Sequence, residues 1–442
     1  MNGMKNILLV YVYLLISANL LNAQSYTSYF TGSSLDTDTD PLGGVCLMGG
    51  ATEDDNAMIW FLEQANGGDI LVLRASGSDG YNDYFYSDLG VNVNSVESIV
   101  FNNASAAYEI YIQQKIQQAE AIWFAGGDQW DYVSYWRDTP IAMLINEAIE
   151  ERNVVVGGTS AGMAILGGYY FSAQNGTVTS SEALVNPYSG NITIDSTAFL
   201  QVDYMNDVLT DMHYDDPDRK GRHVVFLSRI LTDYGVPAKG IACDEYTAVC
   251  VDQSGVARVF GAYPSYDDNA FFIQSNCELS IITPENCSPN TPLEWNLGNK
   301  SLKVYAVKGT SDGSNTFDLN NWSAGSGGVW QHWYVSNGQL NQLEGTQPDC
   351  DIMSNATLED SGLITIFPNP SDDTILIDIQ QSSSSPIGLE LINELGQVQK
   401  LMSLDGTNKI SISVSDLSSG VYMVKIICAN DAVLLHKLLV RK

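Results

Sequence analysis

The stretch of this sequence best suited to chemistry is the pentapeptide Gly158-Thr159-Ser160-Ala161-Gly162. It follows a β-branched run at 154–156 and precedes a helix-compatible run. Strand, tight turn and helix would therefore set Ser160 on a sharp corner with its hydroxyl projecting, and the small flanking residues suit that crowding. A serine hydroxyl attacks a carbonyl only when a general base removes its proton. The chain has 4 histidines. His436 lies in a C-terminal region of different character, His332 in a Trp-rich β region, and His223 opens an apolar helical pattern. That leaves His213, in "VLTDMHYDDPDRKGRH" just after a short apolar strand, as the expected base.

These residues need a scaffold. From Gly44 onward, apolar strand-like runs ("GGVCLMGG", "DILVLRA", "ESIVF", "AIWFAGG", "NVVVGG") alternate with helical patterns over 57–65, 107–118 and 141–151, and a further helix starts at 161–166. Thr52 with Asp55 resembles the N-terminal cap of the first helix. The alternation predicts an α/β fold with a doubly wound, mainly parallel sheet, whose ligand chemistry lies at the carboxyl ends of the strands. From Gly240 the pattern changes to short β segments ("GIACD", "TAVCVD", "ARVFGAY", "LKVYAVKG") carrying Trp295, Trp322, Trp330 and Trp333. This reads as an antiparallel β extension with a Gly/Ser/Asn-rich loop over 312–328 and tryptophans used for packing. The last 80 residues alternate apolar and polar positions between Gly, Asn, Asp and Pro, the pattern of a small β-sandwich. The expected organisation is a signal peptide over 1–23, a catalytic domain over 24–261, the β extension over 262–350, a linker over 351–362 and a C-terminal domain over 363–442.

The 442 residues leave room for two or three domains, and with 45% hydrophobic and 16% charged residues the chain is too apolar to be disordered. Lys and Arg total 20 against 52 Asp and Glu, a net charge of -32 that repels nucleic acid and anionic membrane surfaces. Lys5, an apolar run over 7–16 and the exit Leu21-Asn22-Ala23 have the order of a secretory signal peptide, so the protein is expected outside the cytoplasm. Seven cysteines leave at least one thiol outside any intramolecular pair. Cys243 with Cys250 and Cys277 with Cys287 are the short-range pairs, and Cys46 reads as a buried, inert thiol. Asp36, Asp38 and Asp40 alternate like the start of a calcium loop, but Leu47 occupies the position of the bidentate Glu, so a solvated loop is expected. Neither a His-Glu-x-x-His zinc motif nor a phosphate-binding Gly-x-x-x-x-Gly-Lys motif occurs, so no metal or cofactor is expected.

Three segments in order, "AGGDQWDY", "VVGGTSAGMAILG" and "TDMHYDDPDRKGRHVVFLSRI", resemble the cyanophycinase and dipeptidase E family of serine peptidases. The resemblance covers roughly 44–261. It implies a fold similar to class I glutamine amidotransferases and substrates with an aspartyl group on the acyl side, either cyanophycin or short Asp-Xaa and β-aspartyl peptides. On the matching positions it implies Ser160 as nucleophile, His213 as general acid and base, and the N–H groups of Gly127 and Ala161 as the oxyanion hole. Gln129 matches the family's substrate-binding glutamine, and Arg219 and Arg222 its arginines, suited to clamping a carboxylate. Glu182, in "TSSEALVNPY", matches the orienting carboxylate, with Asp211 the alternative and otherwise an acidic neighbour of the substrate. The stretches "IFPNPSDDTILIDI", "ISVSDLSSGVYMVKI" and the basic end "KLLVRK" resemble the C-terminal sorting domain of type IX secretion substrates, which implies that secretion machinery as a partner and removal of the tail.

The leading expectation is an exported serine peptidase acting on an aspartyl-containing peptide or polymer. The rivals are a non-catalytic surface binding protein on the same fold and an esterase using the same elbow; the sequence has no His-Gly-Gly-Gly oxyanion segment of the kind that favours the esterase. The oligomeric state is not fixed by the sequence, and a homodimer is compatible with it.

Overall fold

The computed structural model describes residues 24–196, 199–350, 364–379, 385–393, 397–404, 406–428 and 433–442. The expected signal peptide and linker lie outside the described residues. In chain order the first elements are β1 (Tyr26–Gly32), β2 (Val45–Met48), α1 (Asp55–Gln64), β3 (Asp69–Arg74), β4 (Ser95–Phe101), α2 (Ile110–Gln118), β5 (Ala121–Phe124), α3 (Gln129–Trp136), α4 (Pro140–Arg152), β6 (Val155–Thr159) and α5 (Ala161–Ala164). There follow β7 (Tyr170–Phe171), α6 (Ser180–Val185), β8 (Ile194–Asp195), β9 (Val208–Asp211), α7 (Lys220–Tyr234), β10 (Lys239–Cys243), β11 (Ala248–Val251), β12 (Val256–Tyr263), β13 (Asn269–Ser275), β14 (Leu302–Lys308), β15 (Asn315–Asp318), β16 (Gly325–Ser326), β17 (Gly328–Ser336) and β18 (Gln339–Glu344).

A ten-stranded sheet runs β1-β4-β3-β5-β6-β2-β11-β12-β15-β16. Its centre, β4-β3-β5-β6-β2, is parallel, and the flanking pairs are antiparallel. Strand periodicity explains the two helical layers. Ile70, Val72 and Val96 pack with Met58, Phe61 and Leu62 of α1 on one face, while Leu71, Leu73 and Ile99 pack with Ile112 of α2 and Ile145 of α4 on the other. Each such side chain, fully removed from water, contributes ~1.5–3 kcal/mol. The expected doubly wound sheet is therefore present, with a parallel centre inside a larger mixed sheet.

A second sheet, β18-β17-β14-β13-β10-β9, is antiparallel except for the β9–β10 pair. Residues beyond 262 thus complete both sheets, β15 and β16 joining the first and the rest the second. The first compact unit runs to Pro348 and the second from Asp349. In the second unit, β19 (Ile364–Phe367), β20 (Thr374–Ile379) and β23 (Lys409–Ser413) form one sheet, and β21 (Pro386–Asn393), β22 (Val398–Ser403), β24 (Gly420–Cys428) and β25 (Val433–Val440) the other. Ile375, Ile377, Leu389, Leu391 and Val424 fill the space between them.

Several expectations are corrected. The helix expected from 107 starts at Ile110, because Ala104–Tyr108 is a tight 3-10 turn and Glu109 is extended. The cap of α1 is Asp54, which accepts from the N–H groups of Asn56 and Ala57, in place of Thr52 or Asp55. The stretch read as a loop over 312–328 contains β15 and β16. β1, with no counterpart in the βα alternation, escaped the reading. Cys277 is disulfide-bonded, but Cys287, Cys243 and Cys250 are free thiols, so neither short-range pair forms. Asp36, Asp38 and Asp40 are exposed on a segment without regular structure.

Candidate active site

β6 delivers Ser160 to the carboxyl end of the parallel centre and α5 leaves it at once. Ser160 has φ 52° and ψ -115°, a conformation that costs a non-glycine residue of order 1–3 kcal/mol and persists because the surroundings enforce it. Its N–H donates to the carbonyl of Met48, at the end of neighbouring β2, at 3.1 Å. Gly162 lies so close to the Phe124 carbonyl that a Cβ would collide with it, which lets α5 start tight against β5.

His213 comes from the other sheet, two residues beyond the end of β9. Its Nε2 lies 2.8 Å from Ser160 Oγ. Its own N–H donates to the Gly49 carbonyl at 2.8 Å, which anchors it to the loop after β2. Gly50 runs beneath the imidazole, where a Cβ would come within 2.5 Å of Nε2. The other ring nitrogen, Nδ1, lies 2.6 Å from Glu245 Oε1. Glu245 stands two residues beyond the end of β10, the parallel neighbour of β9, and its N–H donates to Asp215 Oδ1 at 2.9 Å. The side chains of His213 and Glu245 each keep 23% of their surface exposed, open enough to meet a substrate. A carboxylate on Nδ1 fixes the tautomer that leaves Nε2 free to accept the serine proton.

This arrangement corrects the expected carboxylate. Glu182 is exposed and caps α6: it accepts from the N–H and hydroxyl of Thr179, whose Oγ accepts from the Glu182 N–H. These bonds hold its carboxyl below the usual range. Asp211 is 2% exposed and is bound within the body of the protein, where it takes Arg222 Nε at 2.9 Å and Nη2 at 2.5 Å. Burial works to raise the Asp211 carboxyl, but Arg222 prevails and holds it low.

The same pair corrects the expectation for Arg222, which is 3% exposed, stacked near Phe171 and Phe226 and bound to Thr177 and Val178, so it has no donor to offer a substrate. Arg219 differs. It is half-buried, donates from Nη1 to the Met212 carbonyl beside His213 at 3.2 Å, and keeps a buried Nε without a partner. Gln129 opens α3 and reaches the Phe171 carbonyl at 3.4 Å. The N–H groups of Gly127, at φ 157° after β5, and Ala161, first residue of α5, have no protein acceptor among the described residues. His223 is fully buried in α7, its pKa pushed down to about 4 by burial, so it stays neutral in the core.

Residues 74–258 match Peptidase family S51, and residues 365–441 match the secretion system C-terminal sorting domain. The cyanophycinase of Synechococcus elongatus is 25% identical over 231 residues, covering 50% of this chain and 66% of that protein. That of Geminocystis herdmanii is 26% identical over 162 residues, covering 36% and 55%. The chain thus spans about two thirds of the length of the first of these relatives and about half of the second. The crystal structure of a peptidase from an acI-B1 Actinobacterium aligns over 50% of this chain and 89% of its own at 15% identity, with a TM-score of 0.36. Among the described residues no helix is long and apolar enough to cross a membrane. Over residues 74–258 the chain thus resembles peptidase family S51, and over residues 365–441 the secretion system C-terminal sorting domain, which indicates export.

Proposed function

We propose that this protein is an exported serine peptidase that hydrolyses aspartyl peptide or isopeptide bonds through an acyl-enzyme on Ser160. The observation that carries the reading is the row Ser160 Oγ, His213 Nε2 and Nδ1, Glu245 Oε1, with separations of 2.8 and 2.6 Å. His213 takes the proton of Ser160 as Oγ attacks the scissile carbonyl, and Glu245 stabilises the imidazolium that results. Oxygen charge developing on the carbonyl meets the N–H groups of Gly127 and Ala161. His213 then protonates the leaving amine, and a water repeats the sequence to free the acyl group.

Arg219 supports the aspartyl preference, because its guanidinium is only partly buried and is fixed next to the base by the Met212 carbonyl. Gln129, at the start of the helix that follows the Gly127 turn, is the second substrate-binding residue. The sorting domain supports passage through the type IX secretion machinery, with loss of the tail and release or surface attachment.

The test is to incubate the mature protein with cyanophycin and with α- and β-aspartyl dipeptides, with Ser160→Ala as control. Ser160→Ala should fold and lose at least ~1000-fold in turnover. Equal activity in the variant would remove the serine mechanism and favour the binding protein.

A further inference from the structure

We propose that Cys46 and Cys250 close into a cross-strand disulfide that joins β2 to β11 beneath the active site. The two residues, both free thiols in the structure, are directly opposed in the antiparallel β2–β11 pair, and their Sγ atoms are 3.5 Å apart. The Gly49 N–H to Thr247 carbonyl bond sets the alternation along the ladder, so 47/249 and 45/251 fall in the hydrogen-bonded set and 46/250 in the other. Opposed Cα atoms in that other set approach to about 4.5 Å, inside the range of about 4.4–6.8 Å that a disulfide spans. Cys243, the third buried thiol nearby, lies on the other sheet with its Sγ against the Leu47 carbonyl at 3.6 Å, and is not opposed to Cys46.

The sorting domain sends the chain from the reducing cytoplasm into oxidising compartments, and there such a pair oxidises. Two S–H bonds are replaced by one S–S bond. The two electrons and two protons pass by thiol–disulfide exchange to the disulfide of an export-compartment oxidoreductase, which opens to two thiols. Both cysteines have no exposed surface and burial pushes the Cys250 thiol up, so the exchange belongs to folding, before β11 seals against β2. The link would lock the strand that runs into Gly49 and Gly50 to the strand that follows Glu245. Those glycine carbonyls accept the N–H groups of His213 and Tyr246 at 2.8 and 3.2 Å. This inference is independent of whether Ser160 is a nucleophile.

The experiment uses the full chain secreted through its own export route, denatured with an alkylating agent and no reductant, digested and analysed by mass spectrometry. The expected result is a Cys46–Cys250 linked peptide, lighter than the two thiol peptides by two hydrogen atoms. Both cysteines alkylated, or Cys46 linked to Cys243, would overturn the proposal. Melting gives an independent reading. Reductant present during folding should lower the Tm of the wild type by about 5–15 °C more than that of Cys46→Ala, which retains the Cys277 disulfide as a reducible link. Equal shifts in the two proteins would also overturn it.

Discussion

Two carboxylate contacts start from the same short stretch of chain and end in different places. Asp211 turns inward to Arg222, and both are about 97% removed from solvent. His213, two residues on, turns outward to Glu245, with each side chain keeping 23% exposure. The inward pair satisfies a charge that the fold has buried, so removing one partner leaves a charge in an apolar interior. The outward pair can gain and lose a proton against a substrate. In the proposed mechanism, what separates support from chemistry is the exposure of the pair, since the residue types and spacing look equally catalytic.

Four substitutions would break or sharpen this contrast. Glu245→Gln should lower kcat by about 100- to 10,000-fold while shifting Tm by no more than about 2 °C, because the amide keeps the shape but cannot support the imidazolium. If activity holds, the outward pair is not the working one. Arg222→Leu should do the reverse. It should destabilise the protein by about 3–5 kcal/mol, read as a fall in the denaturation midpoint, and a second change, Asp211→Asn, should recover much of that loss. A large loss of activity without a loss of stability would return Arg222 to the substrate.

Arg219→Ala tests a cation that lies between the two pairs. It should reduce the preference for aspartyl over asparaginyl substrates by about 30-fold in kcat/KM, with a smaller effect on the asparaginyl analogue. An unchanged preference would pass the role to Gln129. Glu182→Ala should have the smallest effect: kcat unchanged and Tm lower by about 2 °C or less through loss of its cap. A fall in kcat of the size expected for Glu245→Gln would make Glu182 the orienting acid after all.

The residues themselves explain which parts were legible. Ser160 sits in a local motif, strand, turn and helix within ten residues, and its geometry needs nothing from elsewhere in the chain. The βα alternation is equally local, and it produced the parallel centre. Glu245 carries no motif, lies 32 residues beyond His213 in sequence and has Asp244 beside it as a decoy. Its position follows from pairing: β9 and β10 are parallel neighbours, so the second residue after each strand end arrives at the same edge. A reader who paired those strands could have found it. Arg222 was misread because its role depends on which face of α7 is buried, and "DRKGRH" alone looks like a solvated cluster. β15 and β16 were hidden by short, polar, Gly-rich composition, since they hold their places through edge pairing more than through hydrophobic content.

Ser160 belongs to the ten-stranded sheet, while His213 and Glu245 hang from the six-stranded one, with the Gly49 carbonyl among the direct ties between them. Neither sheet alone contains both the proposed nucleophile and the proposed base. On the proposed mechanism, catalytic competence is a late event in folding, dated by the moment the two sheets seat against each other. During refolding, the recovery of turnover would time that docking step more selectively than circular dichroism, which registers each sheet as it forms.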